Sequence, residues 1–158
     1  MTNVGSMPGH LARRFQQIAV AVFHMEVSAA GYDLTPVQYA ALRAVEADPG
    51  LDQATLAGRI AYDRTTITGV VDRLAQKGLV LRATNTADRR VRELRCTDEG
   101  RRVLRDVEPA VEAAQRSMLR GLTSDEAADF LRLMRKAIDA GNDLSRAPLR
   151  PEKTARQE

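Results

Sequence analysis

The run of residues 52–95 constrains this chain more than any other stretch. Residues 52–61 have the spacing of a short amphipathic helix, with Leu56 and Ile60 on one face. After a brief turn, Asp63 stands where a longer helix needs its N-cap, and a carboxylate there takes up free backbone N–H groups of the first turn. Gly78 follows the last periodic residue, where a left-handed cap favours glycine. Between them Ile67, Val70, Val71 and Leu74 recur at i, i+3, i+4 and i+7, a single apolar stripe. Residues 79–84 and 91–96 then read as two short strands joined by the polar loop 85–90. Helix, turn, capped helix, strand, Arg-tipped loop, strand is the order of a winged helix-turn-helix.

The surface chemistry of that unit points to nucleic acid. The outward face of the longer helix starts with Arg64, Thr65, Thr66 and Thr68, and short hydroxyls with an arginine suit base edges in a major groove. Arg64 has alternatives, a phosphate or Asp63 at the cap. Arg73 and Lys77 are expected on the DNA backbone, with Asp88 as an alternative partner for Arg73. Arg82, Arg89 and Arg92 are assigned to phosphates, with solvated surface as the alternative for each. Arg90 is assigned to a minor groove, where narrow A·T tracts concentrate negative potential. An acid beside DNA is unfavourable, so Asp88 is expected to steady the loop by pairing with an arginine. Residues 59–95 hold nine Lys and Arg against four Asp and Glu, so this stretch carries +5 in a chain of +3 and the remainder carries −2. Such concentration is the footprint of a phosphate-binding surface, and double-stranded DNA is the expected partner.

Both ends of the chain carry helical seams. From His10 to about Ala30, Leu11, Phe15, Ile18, Val22 and Met25 are spaced 4, 3, 4, 3, a heptad stripe that wants a partner helix. Ala19, Phe23 and Val27 widen it, and Gly31 ends the helix. Thr35-Pro36-Val-Gln38 is a capping box with proline at the first helical position, opening a helix to about Ala47. Leu51 is expected to pair with the hairpin as a one-residue strand. Thr97 caps a long helix whose Leu104, Val107, Val111, Ala114 and Met118 form a second seam, with Pro109 expected to bend it near Asp106. Thr123-Ser-Asp-Glu126 opens a last helix whose Ala127, Phe130, Leu131, Met134, Ala137 and Ile138 share a face.

The expected fold is therefore mainly α with a small β-hairpin wing: a winged helix-turn-helix plus a helical dimerisation region. Residues 1–9 are expected to be a flexible arm, 10–31 and 97–142 the helical dimerisation region, 34–96 the DNA-binding lobe, and 143–158 a disordered tail. Terminal helices pairing across a two-fold axis would make a homodimer; an intramolecular bundle of the same helices is the alternative.

Composition removes other classes. The 158-residue chain is 44% apolar with few aromatics and no Trp, so its core must be aliphatic and Ala-rich. One cysteine, Cys96, excludes an intrachain disulfide, fits a reducing cytosol, and reads as a small core residue. His10 and His24 with one distant cysteine make no zinc set, so no metal is expected. No Gly-rich phosphate loop or Ser/His/Asp spacing argues catalysis, so neither an enzyme nor a cofactor is expected. The longest wholly apolar run, residues 18–23, is far too short to span a bilayer. Arg13-Arg14 precede it with no cleavage site after it, and a cytoplasmic protein is expected.

Three blocks carry a family resemblance: Leu34-Thr-Pro-Val-Gln-Tyr-Ala-Ala-Leu42, Val71-Asp-Arg-Leu-Ala-Gln-Lys-Gly-Leu79, and Asp88-Arg-Arg-Val-Arg-Glu-Leu-Arg-Cys-Thr97 with Glu99-Gly100. Together they resemble the MarR family of bacterial transcriptional regulators over roughly residues 10–142. The last block is similar to that family's wing signature, although Cys96 stands where an aliphatic residue is usual. The resemblance implies a homodimer, a palindromic operator, and repression relieved by a small ligand. It also implies an effector cleft between the dimer helices and the DNA lobe, for which Phe15, Phe23, His24, Tyr32, Tyr39 and Arg43 are the candidates. The alternative is that Phe15 and Phe23 are core while His24 and Arg43 are ordinary surface. A cationic Arg43 beside His24, with the Tyr39 hydroxyl, favours an anion, and the first block looks most like members that control aromatic-acid breakdown. An aromatic carboxylate or its coenzyme A thioester is the first expectation. Family members that sense oxidants carry their cysteine in the first helix, where this chain has none. Two other functions compete: a ligand-independent architectural DNA-binding protein, and a winged-helix module that docks on an acidic protein.

Overall fold

The computed structural model describes residues 3–84 and 92–150. Its helices start where short side chains supply an acceptor to the first turn. Thr35 accepts from the Gln38 N–H at 3.2 Å, and the Gln38 side chain accepts from the Thr35 N–H, completing the box that opens α2 (Pro36–Ala47). Asp52 caps α3 (Gln53–Arg59) through the Thr55 N–H, and Asp63 caps α4 (Arg64–Gln76) through the Thr66 N–H, both at 2.8 Å. Thr97 caps α5 (Asp98–Met118), and a second box at Thr123 and Glu126 opens α6 (Ser124–Ala140). Preceding them all, α1 (Pro8–Ala29) begins with proline in its first turn and is followed by Gly31 at φ +84°.

Between α4 and α5 lies the two-stranded antiparallel hairpin of β1 (Val80–Thr84) and β2 (Arg92–Cys96), with Val80 opposite Cys96 and Thr84 opposite Arg92. Gly78, at φ +69°, turns the chain out of α4 into β1. The chain ahead of α3 joins this sheet as the sequence implied. The Leu94 N–H donates to the Leu51 carbonyl and the Gly50 N–H to the Leu94 carbonyl, each at 2.9 Å.

The core of the lobe is aliphatic. Leu42, Val45, Leu56, Ile67, Val71, Leu74, Val80 and Leu94 are all under 2% exposed and join α2, α3, α4 and the hairpin in one cluster. That cluster continues through Val107 of α5 to Val27 of α1, so the lobe and the helices at the chain ends share one core. α5 packs along α1 and runs through Pro109 as one helix.

Three expectations are corrected. The arm proposed for residues 1–9 is not loose from Asn3 onward: Val4–Ser6 form a 3₁₀ turn capped by the Asn3 side chain, and α1 begins at Pro8. The α5 seam is buried within the chain, where Leu104, Val107, Val111 and Ala114 are 0–8% exposed. What remains uncovered is the heptad stripe of α1 and the apolar face of α6. Leu11, Ile18 and Met25 are 48–59% exposed because α1 turns Phe23 and Val27 inward instead, and Leu131, Leu133 and Ile138 of α6 are 47–58% exposed. Finally, residues 143–150 are not a disordered tail. Asn142–Leu144 form a 3₁₀ turn, and the Arg150 N–H donates to the Gly58 carbonyl of α3 at 2.8 Å.

Candidate nucleic-acid interface

The helix expected to read DNA is α4. Its Ile67, Val70, Val71 and Leu74 are 0–7% exposed, so rotation about its own axis is fixed by packing and the opposite face points outward. The turn that delivers it is tight. Ala61 adopts φ +55°, and the Tyr62 N–H reaches back to the Ala57 carbonyl at 2.9 Å, a left-handed closure of α3 immediately before the cap.

The cap consumes more of the first turn than the sequence showed. Besides the Thr66 N–H, Asp63 accepts from the Thr66 hydroxyl at 2.6 Å, and these bonds hold its carboxyl below the usual carboxylate range. Thr68 donates its hydroxyl to the Arg64 carbonyl at 2.9 Å and accepts from the Gln53 amide of α3 at 2.6 Å. Both hydroxyl protons are thus directed into the protein. Arg64 and Thr65 are exposed, and a Cβ added at Gly69, one turn on, would meet nothing within 4 Å. The open face of α4 accordingly centres on Arg64, Thr65 and Gly69. Gln53 is a positioning residue the periodicity did not single out; its place one residue beyond a cap, on the helix before α4, was the available signal.

The arginines divide into two groups. Arg82, assigned to a phosphate, turns back to form an ion pair with Asp72 of α4. Arg92 donates to the Thr84 hydroxyl across the hairpin at 3.1 Å, and Arg95 pairs with Glu93 at 2.9 Å. Lys77 bonds the Asp33 carboxylate at 2.9 Å and the Asp33 carbonyl, which ties the end of α4 to the turn after α1. Arg64 and Arg73, by contrast, form no ion pair with a described residue. Asp88, Arg89 and Arg90 lie outside the described residues.

The effector candidates are only partly gathered. The Phe23 ring is buried, 6.0 Å from Tyr39 and 6.3 Å edge-on to His24. Arg43 lies one turn beyond Tyr39 on α2 and is exposed. Burial pushes the Tyr39 phenol up against the pull of Arg43, so it remains a hydroxyl donor at neutral pH. Glu108 and Glu112 of α5 also act on that phenol, and the sequence reading had not placed them there. Phe15 sits apart, its ring 5.4 Å from Phe130 of α6. Tyr32 donates to Asp106 of α5 at 2.6 Å. Cys96 is 8% exposed, and burial raises its thiol. Among the described residues no His, Cys, Asp and Glu cluster suits a metal ion, and no helix is long and apolar enough to cross a membrane.

Comparison with known proteins places this geometry. The model of the MarR family matches residues 34–91. The HTH-type transcriptional repressor NicR of Pseudomonas putida is 30% identical over 138 residues, 87% of this chain and 86% of NicR. The PcaV transcriptional regulator of Streptomyces coelicolor, solved with its natural ligand, is 40% identical with a TM-score of 0.81, covering 89% of this chain and 98% of PcaV. Bordetella bronchiseptica BpsR, whose DNA binding is regulated by 6-hydroxynicotinic acid, is 28% identical with a TM-score of 0.82 over 88% of this chain and 98% of its own.

Proposed function

The chain belongs to the MarR family of DNA-binding transcriptional regulators, not to an enzyme family, and from that premise we propose that it is a homodimeric repressor released from a palindromic operator by a small aromatic carboxylate or its coenzyme A thioester. The observation that carries this reading is α4 itself: a helix locked by its buried stripe and its Asp63 cap, presenting Arg64, Thr65 and the uncovered Gly69 outward. Groups held this way need little ordering before they meet base edges. The uncovered stripes of α1 and α6 provide the two-fold contact, and residues 10–31 with 97–142 act as the dimerisation region. Two copies of α4 then sit about one DNA turn apart, ~34–36 Å, on two half-sites.

Support for the effector class comes from two directions. Phe23 and Tyr39 supply aromatic faces, with His24 and Arg43 at hand for an anion. BpsR, similar over most of the chain, responds to an aromatic carboxylate. In the mechanism proposed for this chain, ligand binding beside Phe23 and Tyr39 changes the separation of the two α4 helices and lowers operator affinity by a coupling of typically ~1–3 kcal/mol.

The test is binding of the purified protein to the DNA upstream of its own gene, against a scrambled duplex, at two salt concentrations, followed by aromatic acids and their thioesters. Selective binding that one of these ligands weakens is the expected result. Equal binding to both duplexes would overturn it in favour of an architectural protein, and tight ligand binding with unchanged DNA affinity would overturn the release mechanism.

A further inference from the structure

The segment that follows α6 is built onto the helix-turn-helix. Asn142 brackets Leu149, donating from its amide to the Leu149 carbonyl at 3.1 Å and accepting the Leu149 N–H at 2.8 Å. The Ser145 hydroxyl oxygen accepts the Ala147 N–H at 3.1 Å. The far end is fixed by the 2.8 Å bond from the Arg150 N–H to the Gly58 carbonyl. Contact is closest at that glycine: a Cβ added there would lie 3.1–3.4 Å from three carbons of the Arg150 side chain. The aliphatic stem of Arg150 therefore occupies the space over α3 that a larger residue would fill.

This segment and the turn before α4 enclose an open groove of about 180 Å³, lined by Gly58, Tyr62, Asp63, Arg64, Arg146 and Arg150 among others. Three arginines and one aspartate are among the residues that line it. Asp63 already accepts twice from Thr66, and none of the three arginines forms an ion pair with a described residue. Cations gathered around one groove repel one another, and a polyanion laid along it relieves that repulsion.

We propose that residues 145–150 form a strap that widens the DNA interface, with Arg146 and Arg150 contacting phosphates beside the groove that α4 enters. The inference rests on the DNA-binding reading above. The first helix of a helix-turn-helix crosses the DNA backbone, and the strap lies on that helix, α3. A guanidinium fork matches phosphate oxygens, so the two arginines add affinity and salt dependence without adding base preference.

The experiment uses the full-length chain and a duplex that the wild-type protein selects from a randomised pool, with the dissociation constant measured across a salt series. Arg146→Ala with Arg150→Ala is expected to lower the slope of log affinity against log salt by roughly 1.8, about 0.9 for each lost phosphate. The selected sequence stays as in wild type, and the melting temperature falls only by what the lost stem of Arg150 over Gly58 contributed. Arg150→Lys, which keeps the charge and the backbone bond to Gly58, retains the slope. A purely structural strap would leave the slope alone however far the melting temperature moves, overturning the proposal. So would a double variant with wild-type slope and affinity, or one that binds more tightly because the strap screens α4. If the wild-type protein selects no duplex at all, this inference and the DNA-binding reading fail together. Selection by wild type with an unchanged double variant sinks the strap alone.

Discussion

Lys77, the C-cap residue of α4, is held by Asp33, in the turn that follows α1, through a 2.9 Å ion pair and a second bond to the Asp33 carbonyl. The residue beside it, Tyr32, donates to Asp106 of α5 at 2.6 Å. One turn thus joins α4 to the helix that packs on α1, and displacement of α1 or α5 has a direct route to α4. Lys77 holds the Asp33 carboxyl below its ordinary value of 3.8, with His24 adding a smaller pull. A carboxyl lowered in the folded state contributes stability above its unfolded value and loses that contribution as pH falls through the folded one. Asp33→Asn is therefore expected to melt slightly below wild type at neutral pH. The gap should close as pH falls below about 4, the ordinary aspartate range. Melting curves of both proteins from neutral to acid pH check this, and a gap that widens in acid would contradict the pairing.

The two threonines with committed hydroxyls and the one without should separate in experiment. Thr68 joins α3 to α4 through Gln53, so Thr68→Val is expected to lower the melting temperature with little change in which sequence is bound. Thr65 and Arg64 face outward, and replacing either with Ala should leave the melting temperature alone. If they read bases, each replacement narrows the preference for the selected duplex over a scrambled one by about 1–3 kcal/mol. A competition assay decides it: equal loss on both duplexes would move them from base edges to phosphates.

What could be read from the sequence was what is local. Asp52, Asp63, Thr97, Thr123 and Gly78 act within three or four residues of themselves, and the helix order and the hairpin follow from them. Side-chain pairing was not legible, because Arg82 finds Asp72 only once β1 has folded back along α4. Periodicity marked two stripes on α1 but not which of them is buried; the answer, Phe23 and Val27, separates Phe15 from the other effector candidates. The segment after α6 has too few apolar residues to look ordered. Its order comes from the two bonds of Asn142 and the bare surface of Gly58, and neither leaves a periodic trace.

Gly100 marks the tightest point between α5 and the hairpin. A Cβ there would stand 2.3 Å from the Leu79 carbonyl oxygen and 2.8 Å from the Cys96 sulfur, so backbone must shift to admit one methyl. The neighbourhood cannot give easily, because Thr97 donates to the Gly78 carbonyl at 2.7 Å and accepts the Gly100 N–H at 2.9 Å. Gly100→Ala is expected to destabilise the protein by about 1–3 kcal/mol through overpacking, in spite of alanine's better helix propensity. Urea denaturation with an unchanged m-value and a lower midpoint is the expected result; wild-type stability would mean that α5 sits further from β1 than 2.3 Å allows.

The uncovered stripes test the assembly. Ile18 and Met25 on α1 are 48% and 59% exposed, and Leu131, Leu133 and Ile138 on α6 are 47%, 54% and 58% exposed. Large aliphatic residues repeated along two helices form a patch of the kind that marks a protein contact. Wild type is expected to sediment at about twice the 17.4 kDa of one chain. Ile18→Glu with Leu131→Glu places charge in that contact without touching the internal core, so it should give a folded monomer whose operator affinity collapses because two half-sites are no longer bound together. Leu104→Ala is the control: at 3% exposure it belongs to the internal core, and should cost about 2–5 kcal/mol of stability. A wild-type protein that sediments as a monomer would assign the stripes to another partner, and a double variant that remains dimeric would move the two-fold contact off α1 and α6.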